Sequence, residues 1–89
     1  MPKVTVKYLM TFSQVTQKKK ERISINEGDT LKDLLQTLYN LYGRKFKKLI
    51  EQDLDNRSVI FSVNGEARDV TARLHDEDEV LISYPVGGG

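Results

Sequence analysis

The stretch from Thr30 to Gly43 constrains this chain more than any other. Leu31, Leu34, Leu35, Leu38, Leu41 and Tyr42 recur at helical spacing and form one apolar stripe, while Lys32, Gln36 and Asn40 point elsewhere. Asn26-Glu27-Gly28-Asp29 is a turn cluster, and Thr30 follows it at the N-cap, where its hydroxyl can accept a free N–H of the first turn. Asp33, three residues on, is a short-armed capping-box acid at the positive end of the helix. Gly43 stands where a left-handed residue stops a helix. A helix that is apolar on one stripe must be covered on that side, so the flanking segments have to supply a partner layer.

Those segments read as strands. Val4, Val6 and Tyr8 alternate with Thr5 and Lys7, and Ile23 and Ile25 alternate with Arg22 and Ser24. Thr11 to Lys20 is polar apart from Phe12 and Val15, and reads as a long hairpin loop between these two strands, which then pair antiparallel. After the helix, Phe46, Leu49 and Ile50 predict a short amphipathic helix or helical turn, and Gln52 to Arg57 is turn-like. Ser58–Val63 is a third strand, Asn64-Gly65 a type I′ hairpin signal and Glu66–Asp69 the return strand. Thr71–Leu74 reads as a single helical turn with Leu74 tucked inward, and Asp76–Asp78 as a tight acidic turn. The last strand, Glu79–Tyr84, must come back beside the first for the helix to cover a single sheet, which makes a parallel pair in the centre. The expected class is α+β: a mixed sheet of four or five strands with one long helix on one face, spanning residues 1–84.

Composition narrows function. The 89 residues suffice for one core, and with 14 basic and 13 acidic residues the net charge is +1, not the strongly basic balance of a nucleic-acid-binding domain. No aromatics interleave the lysines to stack bases, so no nucleic acid is expected as a partner. The absence of cysteine excludes disulfides, thiolate metal sites and a cysteine nucleophile, and fits a reducing compartment; a cytoplasmic location is expected. No segment approaches a membrane span, and neither a signal peptide nor membrane association is expected.

Residues 85–89, Pro85-Val86-Gly87-Gly88-Gly89, stand apart as a flexible tail. Three glycines leave no side chain near the terminal carboxylate and few restrictions on φ and ψ. Read alone, such a tail fits a frayed end as well as a tethered reactive group.

Together these features resemble the β-grasp fold of ubiquitin-like proteins, and within it the sulfur carriers: the molybdopterin synthase small subunit, the thiamine-pathway sulfur carrier and the small archaeal modifier proteins. The resemblance rests on Glu27-Gly28-Asp29-Thr30 leading into Leu31-Lys32-Asp33-Leu34-Leu35, on Val63-Asn64-Gly65-Glu66, on Asp78-Glu79-Val80 and on Pro85-Val86 before the glycines. Two features depart from the family: Glu77 stands where a glycine is usual in the acidic turn, and the chain ends on three glycines rather than two.

The resemblance implies a carrier protein that is not itself an enzyme and binds no cofactor. An activating enzyme related to those of ubiquitin would use ATP to adenylate Gly89. The product would become a thiocarboxylate for sulfur transfer, with molybdopterin synthesis as the pathway and the synthase large subunit as acceptor. Alternatively an amine of a target lysine would take the glycine as an isopeptide, or the domain would be an interaction module with an inert tail. Pro85, Val86, Gly87 and Gly88 would thread the partner's active site.

Ile60 and Leu81 fall on the sheet face opposite the core residues and are the candidate docking patch, set against the ordinary occurrence of isolated exposed apolar residues. Lys18–Lys20 and Lys45, Lys47 and Lys48 read as solvated surface, with steering toward an acidic partner as the alternative for the first run. His75 has no Cys, Ser or second His at ligand or triad spacing, and Asp76–Asp78 lack the spaced oxygens of a calcium loop, so no catalytic or metal residue is expected.

Overall fold

A computed structural model of the chain describes residues 1–9, 11–55 and 59–83, with 52–55 given by backbone alone. The elements are β1 (Lys3–Tyr8), α1 (Thr11–Thr16), β2 (Lys20–Ser24), α2 (Leu31–Tyr42), α3 (Arg44–Asp55), β3 (Ile60–Val63), β4 (Glu66–Arg68) and β5 (Glu79–Ser83). The five strands form one mixed sheet in the order β2-β1-β5-β3-β4. β1 and β5 are the parallel central pair, with Val6 opposite Val80 and Tyr8 opposite Ile82, and the other pairings are antiparallel. The expected α+β arrangement is therefore present, with the last strand beside the first.

The core lies between one sheet face and the helices. Val4, Val6, Tyr8, Val80, Ile82 and Phe61 meet Leu31, Leu34, Leu35 and Leu38 there. α2 starts as its residues dictate: the Asp33 N–H donates to Thr30 Oγ1, and the Thr30 N–H donates to Asp33 Oδ2 at 2.9 Å, a complete capping box. It ends at Gly43, whose N–H donates to the Tyr39 carbonyl at 2.8 Å. Gly43 is not left-handed helical, however; its φ of 83° and ψ of −163° lie in an extended region open essentially to glycine alone. That geometry re-aims the chain at once, because α3 begins at the next residue.

Three local expectations need correction. Thr11–Thr16 is helical rather than loop, with Phe12 fully buried and Gln17 at φ 60° ending it. Phe12, Val15 and Thr16 are in fact at helical spacing, but in a segment too short for periodicity to register. α3 runs to Asp55, far longer than one turn around Phe46, Leu49 and Ile50. Finally, Thr71–Leu74 forms no helical turn, although Leu74 is buried as expected. Its carbonyls are engaged elsewhere: Leu31 N–H donates to Ala72 O and Lys32 N–H to Val70 O, both at 2.9 Å. A turn closed by the Ala72 N–H on the Asp69 carbonyl at 3.1 Å thus satisfies first-turn donors of α2 that have no intrahelical acceptor.

Asn64 and Gly65 take φ values of 53° and 86°, the doubly positive pattern of a type I′ turn. Glu77 also sits at a left-handed φ, 68°. Its carboxylate meets Arg22 at 2.7 Å, but both side chains are more than half exposed, so this pair contributes less than about 1 kcal/mol. The backbone strain of a non-glycine residue there costs about 1–2 kcal/mol. Glu77→Gly is therefore expected to raise the unfolding free energy in urea by about 0.5–1 kcal/mol, after the greater freedom of glycine in the unfolded chain is subtracted. A less stable variant would show that the Arg22 pair outweighs the strain.

Candidate functional site

Because β5 runs parallel to β1, its last residue, Ser83, lies at the end of the sheet where β1 finishes. Tyr8 pairs with Ile82, and the Leu9 N–H donates to the Ile82 carbonyl at 3.3 Å. The expected tail residues Pro85, Val86, Gly87, Gly88 and Gly89 lie outside the described residues, as does Tyr84. What the structure defines is the surface from which they depart.

That end is built around Glu21, a residue the sequence did not single out. Glu21 opposes Val6, so its side chain stands on the helix-facing side of edge strand β2 and is only 12% exposed. The Tyr8 hydroxyl donates to Glu21 Oε2 at 2.6 Å, the Tyr42 hydroxyl donates to the same oxygen, and Lys18 Nζ lies 3.3 Å from Oε1. Burial pushes the Glu21 carboxyl upward, but hydrogen bonds from Tyr42, Tyr8 and Lys18 outweigh it and hold the group below the ordinary glutamate value of 4.5. Burial first, then the bond to Glu21, raises both Tyr8 and Tyr42, so the two phenols stay protonated donors. An inward carboxylate on an edge strand also discourages pairing with other chains. Sequence reasoning missed it because its partners come from β1, α2 and the turn before β2. The signal was a lone acid among lysines in a strand otherwise read as exposed there.

Glu21 gives stability a defined pH dependence. Its folded pKa is below its unfolded one, so its contribution is complete above the unfolded value and disappears as pH falls through the folded value. Glu21→Gln is expected to cost about 1–2 kcal/mol at neutral pH, and this difference should close below pH 4.5 in urea titrations of both proteins. A difference that stays constant into acid would show that the carboxylate charge is not what stabilises.

Among the described residues, Ile60 and Leu81 share the sheet face that no helix covers. Leu81 lies between Lys7 and Ser62, and Ile60 is opposite Ser83, which makes the two apolar residues diagonal neighbours across β3 and β5. Ile60 is 38% exposed, while Leu81 is half-buried beneath its neighbours. Ile60 continues into a shallow groove of about 390 Å³ along the β3–β4 edge with Ala67 and Val70. The Lys7–Glu79 ion pair, at 3.0 Å, borders the same face.

At the opposite end of the sheet, Asp76–Asp78 form the expected turn. The Lys3 N–H donates to Asp76 Oδ1 at 2.9 Å, the His75 N–H to Asp78 Oδ2 at 2.8 Å, and Asn64 Nδ2 to Asp78 Oδ1 at 2.8 Å. These carboxylates fix backbone. Among the described residues no cluster of His, Asp and Glu is arranged to hold a metal ion, and no helix is long and apolar enough to cross a membrane.

The ThiS family model matches residues 6–89. No curated protein matches the sequence. Among solved structures, a putative molybdopterin converting factor subunit 1 from Pyrococcus furiosus is similar with a TM-score of 0.76 and 25% identity, over 97% of this chain and 100% of that one. SAMP1 from Haloferax volcanii superposes with a TM-score of 0.73 at 20% identity, covering 98% and 99% of the two chains. Small archaeal modifier protein 1 from Methanosarcina acetivorans gives 0.71 at 22% identity, covering 100% and 98%.

Proposed function

We propose, from the premise that this chain belongs to the ThiS family of ubiquitin-like β-grasp proteins, that the carboxylate of Gly89 is its functional group and is activated by a partner enzyme. The observation that carries this reading is that the family match runs through residue 89, so the terminal glycines lie inside the matched segment. The chemistry is consistent. A free α-carboxylate, with a pKa near ~3.5, is an anion at neutral pH and a poor electrophile. Attack of its oxygen on the α-phosphorus of ATP releases pyrophosphate and leaves an acyl adenylate. Hydrosulfide attacking the acyl carbon then displaces AMP, loses its proton and leaves a thiocarboxylate. The body supplies docking through its uncovered sheet face, with Ile60 and Leu81 at its centre, because threading a glycine tail costs conformational entropy that contacts elsewhere must offset.

The likeness to a putative molybdopterin converting factor subunit 1 supports sulfur delivery in molybdopterin synthesis, with the large subunit of that synthase as acceptor. The likeness to two small archaeal modifier proteins supports a second reading, in which a target lysine takes the activated glycine as an isopeptide. In either case the protein is a substrate and carrier, ATP belongs to the activating enzyme, and the site of action is the cytoplasm. Incubation with the cognate adenylating enzyme, ATP and a sulfur source, followed by intact-mass measurement, separates the readings. Exchange of one oxygen for sulfur is expected. Lysine adducts of higher mass would favour the modifier, and an unchanged mass with an enzyme proven active on another carrier would leave an inert interaction module.

A further inference from the structure

The described charges are unevenly distributed along the sheet, with Lys3, Arg22 and Arg73 among the acids at one end and Glu21 and Glu51 among the cations at the other. Asp29, Asp33 and Asp76–Asp78 gather where β1 begins: Asp78 O accepts the Thr5 N–H at 2.9 Å, and the Asp29 carbonyl accepts the Leu74 N–H at 2.8 Å. The cations gather where β5 ends. Lys20 opposes Lys7 in the β1–β2 ladder, and the Lys19 carbonyl accepts the Tyr8 N–H at 2.9 Å. Tyr42, held to Glu21 beside Lys18, brings the end of α2 to the same place, and Arg44 and Lys45 follow it directly. Lys47 and Lys48 extend the patch from Arg44 along α3, where Glu51 bounds it. Lys19, Lys20, Arg44, Lys45, Lys47 and Lys48 are exposed and form no ion pair among the described residues.

This arrangement is unfavourable to the fold by itself. Lys20 faces another cation across the ladder, although Lys7 is itself paired with Glu79 at 3.0 Å. Cations in the first turns of α3 oppose the positive end of its macrodipole, and no acid stands in its first turn to compensate. The start of α3 thus departs from a local rule at the end of the sheet where β5 finishes, and such departures concentrate at functional surfaces.

We infer that Lys19, Lys20, Arg44 and Lys45, continued by Lys47 and Lys48, form a cationic collar at the root of the tail that docks on a carboxylate-rich rim around the channel of the activating enzyme. The inference rests on the carrier reading above and adds a second contact to the apolar sheet face. The acidic pole lies roughly 20 Å away along the six-residue β1, beyond a Debye length of about 8–10 Å, so an acidic rim meets the field of the collar first. The collar therefore acts on encounter rather than on the chemical step.

The test compares wild type, K19E/K20E/K45E, its neutral counterpart K19Q/K20Q/K45Q and the opposite-pole control E27K/E66K, with the folded state of each checked by circular dichroism. Stopped-flow association with the cognate adenylating enzyme at about 50 mM salt should slow by about 30-fold or more in the charge-reversed variant, less in the neutral one, and under about threefold in the control. The rate of adenylate formation at saturating carrier should be unchanged, and raising salt to about 0.5 M should bring the variants and wild type together. Equal association rates with normal adenylation would overturn the collar and leave the carrier reading standing. Failure of the wild type to be adenylated at any concentration would overturn both. Collar-dependent binding of wild type to mixed-sequence DNA or phosphatidylserine vesicles at physiological salt, without a difference on the enzyme, would assign the patch to a polyanion instead.

Discussion

Phe46→Ala is expected to lower the unfolding free energy by about 3–5 kcal/mol, the largest loss from any single side chain at the tail-bearing end. Phe46 is fully buried, and its ring centroid lies 5.7–6.3 Å from those of Tyr8, Phe12, Tyr39 and Tyr42. Those rings come from β1, α1 and α2, so the Phe46 side chain from α3 is the common contact of elements that share few others. Removing it leaves a cavity that rigid aromatic neighbours cannot refill, and it weakens the setting in which Tyr8 and Tyr42 hold Glu21. Phe46→Leu should retain most of the stability, because it keeps much of the volume. Urea denaturation measures both; a cost below about 1 kcal/mol for the alanine variant would mean that α3 docks through other residues.

Deleting Gly88 and Gly89 is expected to abolish adenylation while leaving the melting temperature unchanged. The two residues carry no side chain to bury, so their loss removes the proposed reactive carbon without removing core. Pyrophosphate release with the activating enzyme reads the first effect and calorimetry the second. Retained activity would relocate the chemistry, and a lowered melting temperature would show that the terminus packs against the body. Deletion of Gly89 alone decides whether the third glycine sets the reach to the partner's nucleotide.

Where local chemistry decides structure, the sequence was readable. The alternation of Val4, Val6 and Tyr8, the Thr30–Asp33 capping box and the Asn64-Gly65 turn each carry their own stereochemical reason. Together they lead to the sheet order, because a parallel β1–β5 pair is the arrangement that lets α2 cover it. Where a distant partner decides, the sequence was mute. The Asp69–Ala72 turn is held in place by α2, which takes the Val70 and Ala72 carbonyls, and Glu21 is partly buried because two tyrosines from other elements reach it. The docking pair was legible as a face, through period-2 alternation, but not as a surface. That Ile60 is open while Leu81 is half covered depends on neighbours set by strand pairing. The gathering of separate basic runs at one end likewise exists only once β5 lies beside β1.

The same central pair has a consequence for synthesis. β1 and β5 join residues such as Tyr8 and Ile82, from opposite extremes of the sequence, in the middle of the sheet. Contacts this remote are slow to close, and a chain still being translated does not yet have the strand that fills the centre. A nascent chain halted before residue 79 keeps a β1–β2 hairpin and helices, but β3 and β4 have nothing to attach to. Folding is thus deferred until the whole strand has left the ribosome, by which time the residues that follow it are already made. A product terminated before residue 79 therefore lacks the strand that joins β3 to β1 and cannot bring Ile60 and Leu81 together.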